Sequence, residues 1–399
     1  MHKYFTVAKH IKELQQNLEG LKRAAKKSNK AAGARHFAGA KVHGQISRAL
    51  KQNSPAPMTH LKRVTNMGPG KGIGTFATSP KEIDTILHHV WDPITDGNHH
   101  DLRAAAQAFL DKYAQHMVTL PQFHVELLSV DDFMKTCQAS QRSAAGLDGW
   151  TAGDLALLSR YAFSVLVKLL NSIEQGEVDW PVHMLETRAV FLSEDPNDSS
   201  NPLASRILKI TSAIYRRWGS TRLRNLAEWV NSWDHPALHA GIPGKGAQDA
   251  WLKTALGVEL AKVFGLEVSG GSVDIYKCFD QINRNLVYEL ARKAGMPLPI
   301  LRAHFCYVDN LQVRYQVANT IGEPHWERSS IPQGCPFSMA MVALITVWVN
   351  LMEEHHIEPR CLADDLLFMA AGTAHRAHTI NATKINQVFF EDRCTRRHK

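Results

Sequence analysis

Two apolar runs carry aspartates at their ends. One is Leu266-Glu267-Val268-Ser269-Gly270-Gly271-Ser272-Val273-Asp274-Ile275, and the other is Arg360-Cys361-Leu362-Ala363-Asp364-Asp365-Leu366-Leu367-Phe368-Met369-Ala370. A carboxylate carried by apolar chain is costly to bury unless a cation neutralises it. Hard oxygen ligands suit Mg²⁺, and two such ions side by side can run an in-line phosphoryl displacement. Asp274, Asp364 and Asp365 are therefore candidate metal ligands and catalytic groups. Taken singly, each is better explained as an Asp-Asp hairpin turn or a helix-capping aspartate.

The surrounding pattern gives the elements that must hold them. Leu266–Ile275 reads as a strand that delivers Asp274, and 360–370 reads as two apolar strands joined by an acidic tight turn. Asn283 or Asn285 can cap a helix over Leu286–Ala294, ended by Gly295 and Pro297. Tyr307–Val317, with Gly322 in the turn beyond, suggests a hairpin, and Thr187–Leu192 a further strand. Upstream, Ser79 and Pro80 open a helical stretch through Leu87–Trp91, followed by Leu102–Tyr113. A last helix spans Thr379–Phe390. The uncharged run Met339–Met352 is shorter than the ~20 residues of a membrane span and reads as one buried core helix. The glycine cluster Gly68–Gly74 lacks the GK[ST] ending of a phosphate loop and reads as a linker. The pattern is that of an α+β protein.

The 399 residues are 44% hydrophobic, enough for a sizeable core, which excludes a disordered chain or a small disulfide scaffold. The net charge of +8 is unevenly placed. Residues 1–63 hold 14 Lys+Arg against two acids, a charge of +12, and the remaining residues carry −4. A basic arm of this kind suggests a polyanionic partner or a nuclear address. Six cysteines lie mostly in apolar runs with no CxxC pair, as in a reducing compartment. The histidine doublets His88-His89, His99-His100 and His355-His356 lack zinc spacing, so no structural zinc is expected. The first residues do not form a secretory signal.

Order along the chain is more informative than any single motif. Asp274-Ile275-Tyr276-Lys277-Cys278-Phe279-Asp280 is followed by Pro332-Gln333-Gly334 and then by Leu362-Ala363-Asp364-Asp365, with 90 positions between Asp274 and Asp364. This ordered triple resembles the reverse-transcriptase family, most closely its non-LTR retrotransposon and group II intron branch. There D-I-x-K-A-F-D precedes P-Q-G and an x-A-D-D hairpin. Ser143–Gly149 is similar to the K-A-P-G-P-D-G segment of that family, Ser205–Ile210 to its R-P-I segment, and His239–Ala247 to its G-F-R-P-G-R-S segment. The resemblance covers about residues 125–370.

The resemblance implies a right-hand polymerase with fingers and palm, RNA-templated DNA synthesis, and two Mg²⁺ ions, with Mn²⁺ as a substitute. Its partners would be an RNA template, a DNA or RNA primer and dNTPs, with no membrane. Asp274 and Asp364 would ligate both ions and Asp365 would contribute more weakly. Phe279 would exclude a ribose 2′-hydroxyl, Gln333 and Gly334 would lie along template and nucleotide, and Arg206 would grip the triphosphate. The implied organisation is a helical basic arm and linker over 1–77, a helical spacer over 78–124, a fingers-like region over 125–260 and a palm-like region over 261–399. Only 34 residues follow Asp365, so the thumb is expected to be missing. Two departures stand out. Ser330 occupies a position where the family has glycine, and the loop Leu192–Pro196 is acidic where a lysine is common. An RNA-directed RNA polymerase with the same palm and a non-catalytic RNA-binding remnant are the competing readings. The implied location is the nucleus or the cytoplasm.

Overall fold

A computed structural model of the chain describes residues 58–393 other than 98–99, 140–142, 196–197, 319 and 345. The chain divides into Met1–Pro57 and Met58–Lys399. Of the expected helical basic arm, residues 1–57 make up the first unit and lie outside the described residues, and only Lys62 and Arg63 of its lysines and arginines fall in the second.

The second unit mixes helices with three small sheets. Strands β1 (Leu61–Lys62) and β2 (Phe76–Ala77) form an antiparallel pair. Between them lies the glycine cluster expected as a linker. It is instead a closed loop, because Arg63 and Gly74 exchange backbone hydrogen bonds with Thr75 and Arg63 at its base. The Arg63 guanidinium fork then grips Glu82 at 2.9 and 3.0 Å.

Strands β3 (Glu186–Ser193), β4 (Ser205–Ile210), β6 (Gln312–Val317) and β7 (Thr320–His325) form a sheet of order β4-β3-β6-β7. Alternation explains β6: Val313, Tyr315 and Val317 are buried while Gln312, Arg314 and Gln316 are half-buried. β3 runs parallel to β6 and antiparallel to β4. The hairpin expected from Tyr307 begins later, since Leu298–Asp309 is a helix with Tyr307 fully buried. Gly322 is not in its turn. It sits within β7, where a Cβ would come within 2.0 Å of Asp84 Oδ1, so it is the absence of a side chain that the packing uses.

The third sheet has order β5-β9-β8, with β5 (Val268–Asp274), β8 (Glu358–Leu362) and β9 (Asp365–Ala371) all antiparallel. The expected strand ending on Asp274 and the acidic turn are both present. Asn283 caps the helix Arg284–Lys293 by accepting from the Asn285 amide, and Gly295 leaves it with a φ of 79°. The run Met339–Met352 is buried as expected but is two helices, Ser338–Ala343 and Thr346–Glu354, not one.

One continuous core joins the sheets to the helices. Its centre is aromatic: Tyr215 stacks on Tyr307 at 3.5 Å, and Trp180 meets Tyr215, Trp218 and Tyr307 edge-on. Trp180 Nε1 donates to the Ala303 carbonyl at 2.8 Å, so the burial of the ring leaves no orphan donor. Among the described residues, no helix is long and apolar enough to cross a membrane.

Candidate active site

Sheet register brings the aspartates together. Asp274, the last residue of β5, lies directly opposite Asp365, the first of β9. Leu362 pairs with Asp365, leaving a two-residue loop of Ala363 and Asp364. Ala363 takes a φ of 59°, a left-handed backbone that a tight hairpin demands and that usually selects glycine.

These carboxylates are less buried than their apolar flanks suggested. Asp274 and Asp365 are exposed and Asp364 is half-buried. Burial, and then the charges of Asp365 and Asp274, push the Asp364 carboxyl above its ordinary range, against the pull of Arg206 and a backbone hydrogen bond. The charges of Asp274 and Asp365 thus act on Asp364, and a hard divalent cation would relieve that repulsion, although the three aspartates do not bring their oxygens within 4.8 Å of one another. The donor set is all oxygen, with no sulfur or imidazole, which fits Mg²⁺ or Mn²⁺.

A cleft of about 350 Å³ opens beside them. Asp274, Asp364, Arg206, Phe279 and Gln333 all line it, although Arg206 and Asp364 are 158 positions apart. Asp365 stands at its margin as the register partner of Asp274. Gly334 sits behind it: its φ is 99° and a Cβ there would press on Leu208 and the Lys209 carbonyl, so the glycine serves contact with β4. Gln333 is held at both ends. Its carbonyl accepts from the Lys209 amide at 3.1 Å and its side-chain amide donates to Asp280 at 3.2 Å. Phe279 is half-buried against the core, and its carbonyl accepts from Ile331 at 2.8 Å. The segment Ala237–His239 pairs with Cys361 at the outer edge of β8. The segment Ser143–Ala145 is tied by Arg188, Arg216 and Arg217 and lies outside the cleft lining.

Two charged residues of the cleft, Lys277 and Glu194, carried no expected role. Lys277 takes a φ of 45°, and this turn aims its ammonium at Glu194 (2.7 Å) and the Ser205 carbonyl (2.7 Å), over the ring of Trp91. Glu194 also accepts from Arg206 at 3.1 Å. Burial acts to raise the Glu194 carboxyl, but Lys277 and then Arg206 outweigh it and hold the group below its usual range. The acidic loop thus neutralises both cations of the cleft. The sequence signal was the acidic departure itself; the partner needed the fold.

A buried polar layer supports the cleft from behind. Lys209, on the inner face of β4, donates to Glu327 at 2.5 Å and Ser330 Oγ at 2.8 Å. Arg284 donates to the Ser330 and Glu327 carbonyls. Ser330 has a φ of 88°, so the backbone is glycine-like where glycine was expected. Its hydroxyl donates to Glu327 at 2.6 Å, a buried bond that glycine could not make and that offsets the backbone strain.

Asp280, fully buried, stands 4.0 Å from Lys209. Burial pushes its carboxyl up from 3.8 to about 6, against Lys209 and with Glu327. In an unfolded chain the group ionises near 3.8, so folding is favoured below that pH and loses stability as pH rises through about 6. Asp280→Asn should therefore gain on the wild type by up to about 3 kcal/mol between pH 4 and pH 7. Denaturant melts across that range check it; a difference that stays flat with pH would show that Asp280 does not titrate there.

Comparisons with protein-family models and with curated proteins found no match to this chain.

Proposed function

We propose that this chain is a reverse-transcriptase domain from a non-LTR retroelement, with the β5-β9-β8 sheet as palm and β3 and β4 as part of the fingers. The observation that carries the reading is the convergence of Asp274, Asp364, Arg206, Phe279 and Gln333 on one cleft. Asp274 and Asp364 would hold two Mg²⁺ ions, with Asp365 contributing more weakly, and the bound ions supply Lewis-acid activation of the primer hydroxyl and neutralise charge on the α-phosphate. Arg206 offers a guanidinium fork to a triphosphate, and Lys277 adds a second cation on the same wall. Phe279 presents a bulky ring where a ribose 2′-hydroxyl would lie and so selects deoxynucleotides. Gln333, fixed by Asp280 and Lys209, keeps its backbone still against the nucleotide and its template base.

The test is primer extension on an RNA template with the full chain, Mg²⁺ or Mn²⁺, and either dNTPs or rNTPs. Metal-dependent incorporation of dNTPs is expected. Efficient ribonucleotide incorporation would replace this reading by an RNA polymerase, and no incorporation with either set would leave a nucleic-acid-binding remnant.

Because Glu194 competes with the triphosphate for Arg206 and Lys277, Glu194→Gln should lower KM for dNTP about fivefold, about 1 kcal/mol, with kcat little changed. A raised KM would mean that Glu194 positions the two cations instead of occupying them.

A further inference from the structure

Outside the lining of the cleft, a second set of ligand-type side chains meets between the helix Pro80–Thr95 and β7. Asp84, His88 and Asp92 follow one another at four-residue spacing on one face of that helix. His325, the last residue of β7, reaches the same point, with its ring edge-on to His88 at 4.7 Å. One ligand atom each from His88, Asp92 and His325 lie within 4.8 Å of one another, and among the described residues no other such trio of His, Cys, Asp or Glu occurs.

The unmet hydrogen bonding is what points to a ligand. Both ring nitrogens of His325, Nε2 of His88 and Oδ1 of Asp84 are buried with no hydrogen-bond partner. His88 Nδ1 and Asp92 Oδ1 stand 3.1 Å apart, close to the roughly 3.4 Å that separates neighbouring ligand atoms around tetrahedral zinc. On the other side of the His88 ring, Nε2 faces Asp84 Oδ2 at 3.9 Å. At that distance the two do not hydrogen-bond, but a carboxylate on this side of the ring could orient a metal-bound imidazole once the gap closes. Asp84 is itself oriented by the Glu323 amide at 3.2 Å and by its tight packing on Gly322. The Asp92 side chain is 41% exposed, which gives an ion a route in from solvent.

We propose that His88, Asp92 and His325 bind one late first-row divalent cation, Zn²⁺ by preference, with water in the fourth position and Asp84 orienting His88. The alternation of two imidazoles with one carboxylate disfavours Mg²⁺ and Ca²⁺. The ion would clamp the helix to the free edge of the four-stranded sheet. That helix also carries Trp91, the ring under Lys277, so the clamp supports the cleft wall without touching it. No spacing rule could find this site, because its two histidines are 237 positions apart.

The experiment uses the untagged full chain, stripped with chelator and titrated with Zn²⁺ by calorimetry, and with Co²⁺ by visible absorption. Wild type should bind one equivalent that His325→Ala and Asp92→Asn lose or bind at least tenfold more weakly. Co²⁺ in the wild type should show the intense ligand-field bands of a four-coordinate site. Zinc should also raise the melting midpoint of wild type and of neither variant. Equal zinc stoichiometry and affinity in all three proteins would overturn the proposal, as would octahedral-type weak Co²⁺ bands in the wild type. Should His325→Ala fail to fold, the exposed Asp92→Asn and the wild-type cobalt spectrum decide the matter by themselves. None of these readouts depends on polymerase activity.

Discussion

Asp274→Asn is expected to reduce metal-dependent nucleotide incorporation by about a thousandfold, about 4 kcal/mol in transition-state stabilisation. The amide keeps the size and shape of the carboxylate but removes its charge and half its ability to ligate a hard cation. The loss should fall on kcat/KM with Mg²⁺ and be only partly recovered with Mn²⁺. Folding should not suffer. Asp274 is exposed and faces Asp365 directly across the strand pair, so removing one of two like charges relieves repulsion. Primer extension and a thermal melt of the same preparation separate the two effects. Incorporation within threefold of wild type would sink the assignment of Asp274 as a metal ligand. The same substitution at Asp365 should cost less, because that carboxylate stands at the margin of the cleft and not in its lining.

The second large effect is on stability. Glu327→Ala should destabilise the fold by about 3–5 kcal/mol, the usual cost of leaving a buried charge without its partner. Lys209 and Glu327 are both almost wholly inaccessible, with side-chain exposures of 0% and 1%. Burial alone would raise the Glu327 carboxyl, but Lys209 and Arg284 overcome that and hold it below the ordinary value. Its contribution is therefore present above about pH 4.5 and is lost as pH falls further. Removing Glu327 strands the Lys209 ammonium beside Asp280 at 4.0 Å and takes away the acceptor that holds Ser330 in its strained backbone. Replacing Lys209 by Met in the same protein should recover much of the loss, since a buried pair is dearer to break than to delete. Urea unfolding of the single and double variants measures this. A single-variant loss below about 1 kcal/mol would mean that Asp280 takes over as counter-ion.

Much of the aspartate site was legible in the chain. A strand shows itself by composition and period, and a tight turn between two apolar strands shows itself by its residues. Hence β5, β8, β9 and the Ala363-Asp364 loop lie where the sequence placed them. Expectations failed where a side chain from elsewhere decided the matter. Gly322 read as a turn residue, yet it is glycine to admit Asp84 from a helix 238 positions away. The apolar run 339–352 read as one helix, and it is two. Ser330 read as a departure at a glycine position, and its backbone is glycine-like while its hydroxyl joins a buried network.

What the sequence determined by itself was the inventory of acids, cations and rings and the local elements that carry them, since helix period, strand alternation and turn chemistry act within a few residues. The tertiary structure alone decided which of these meet. Pairing β5 with β9 set Asp274 opposite Asp365, pairing β3 with β4 brought Glu194 to Arg206, and seating a helix against β7 joined His88 to His325. Such meetings depend on strand register and on burial shared among distant segments, and no local rule of the chain encodes them.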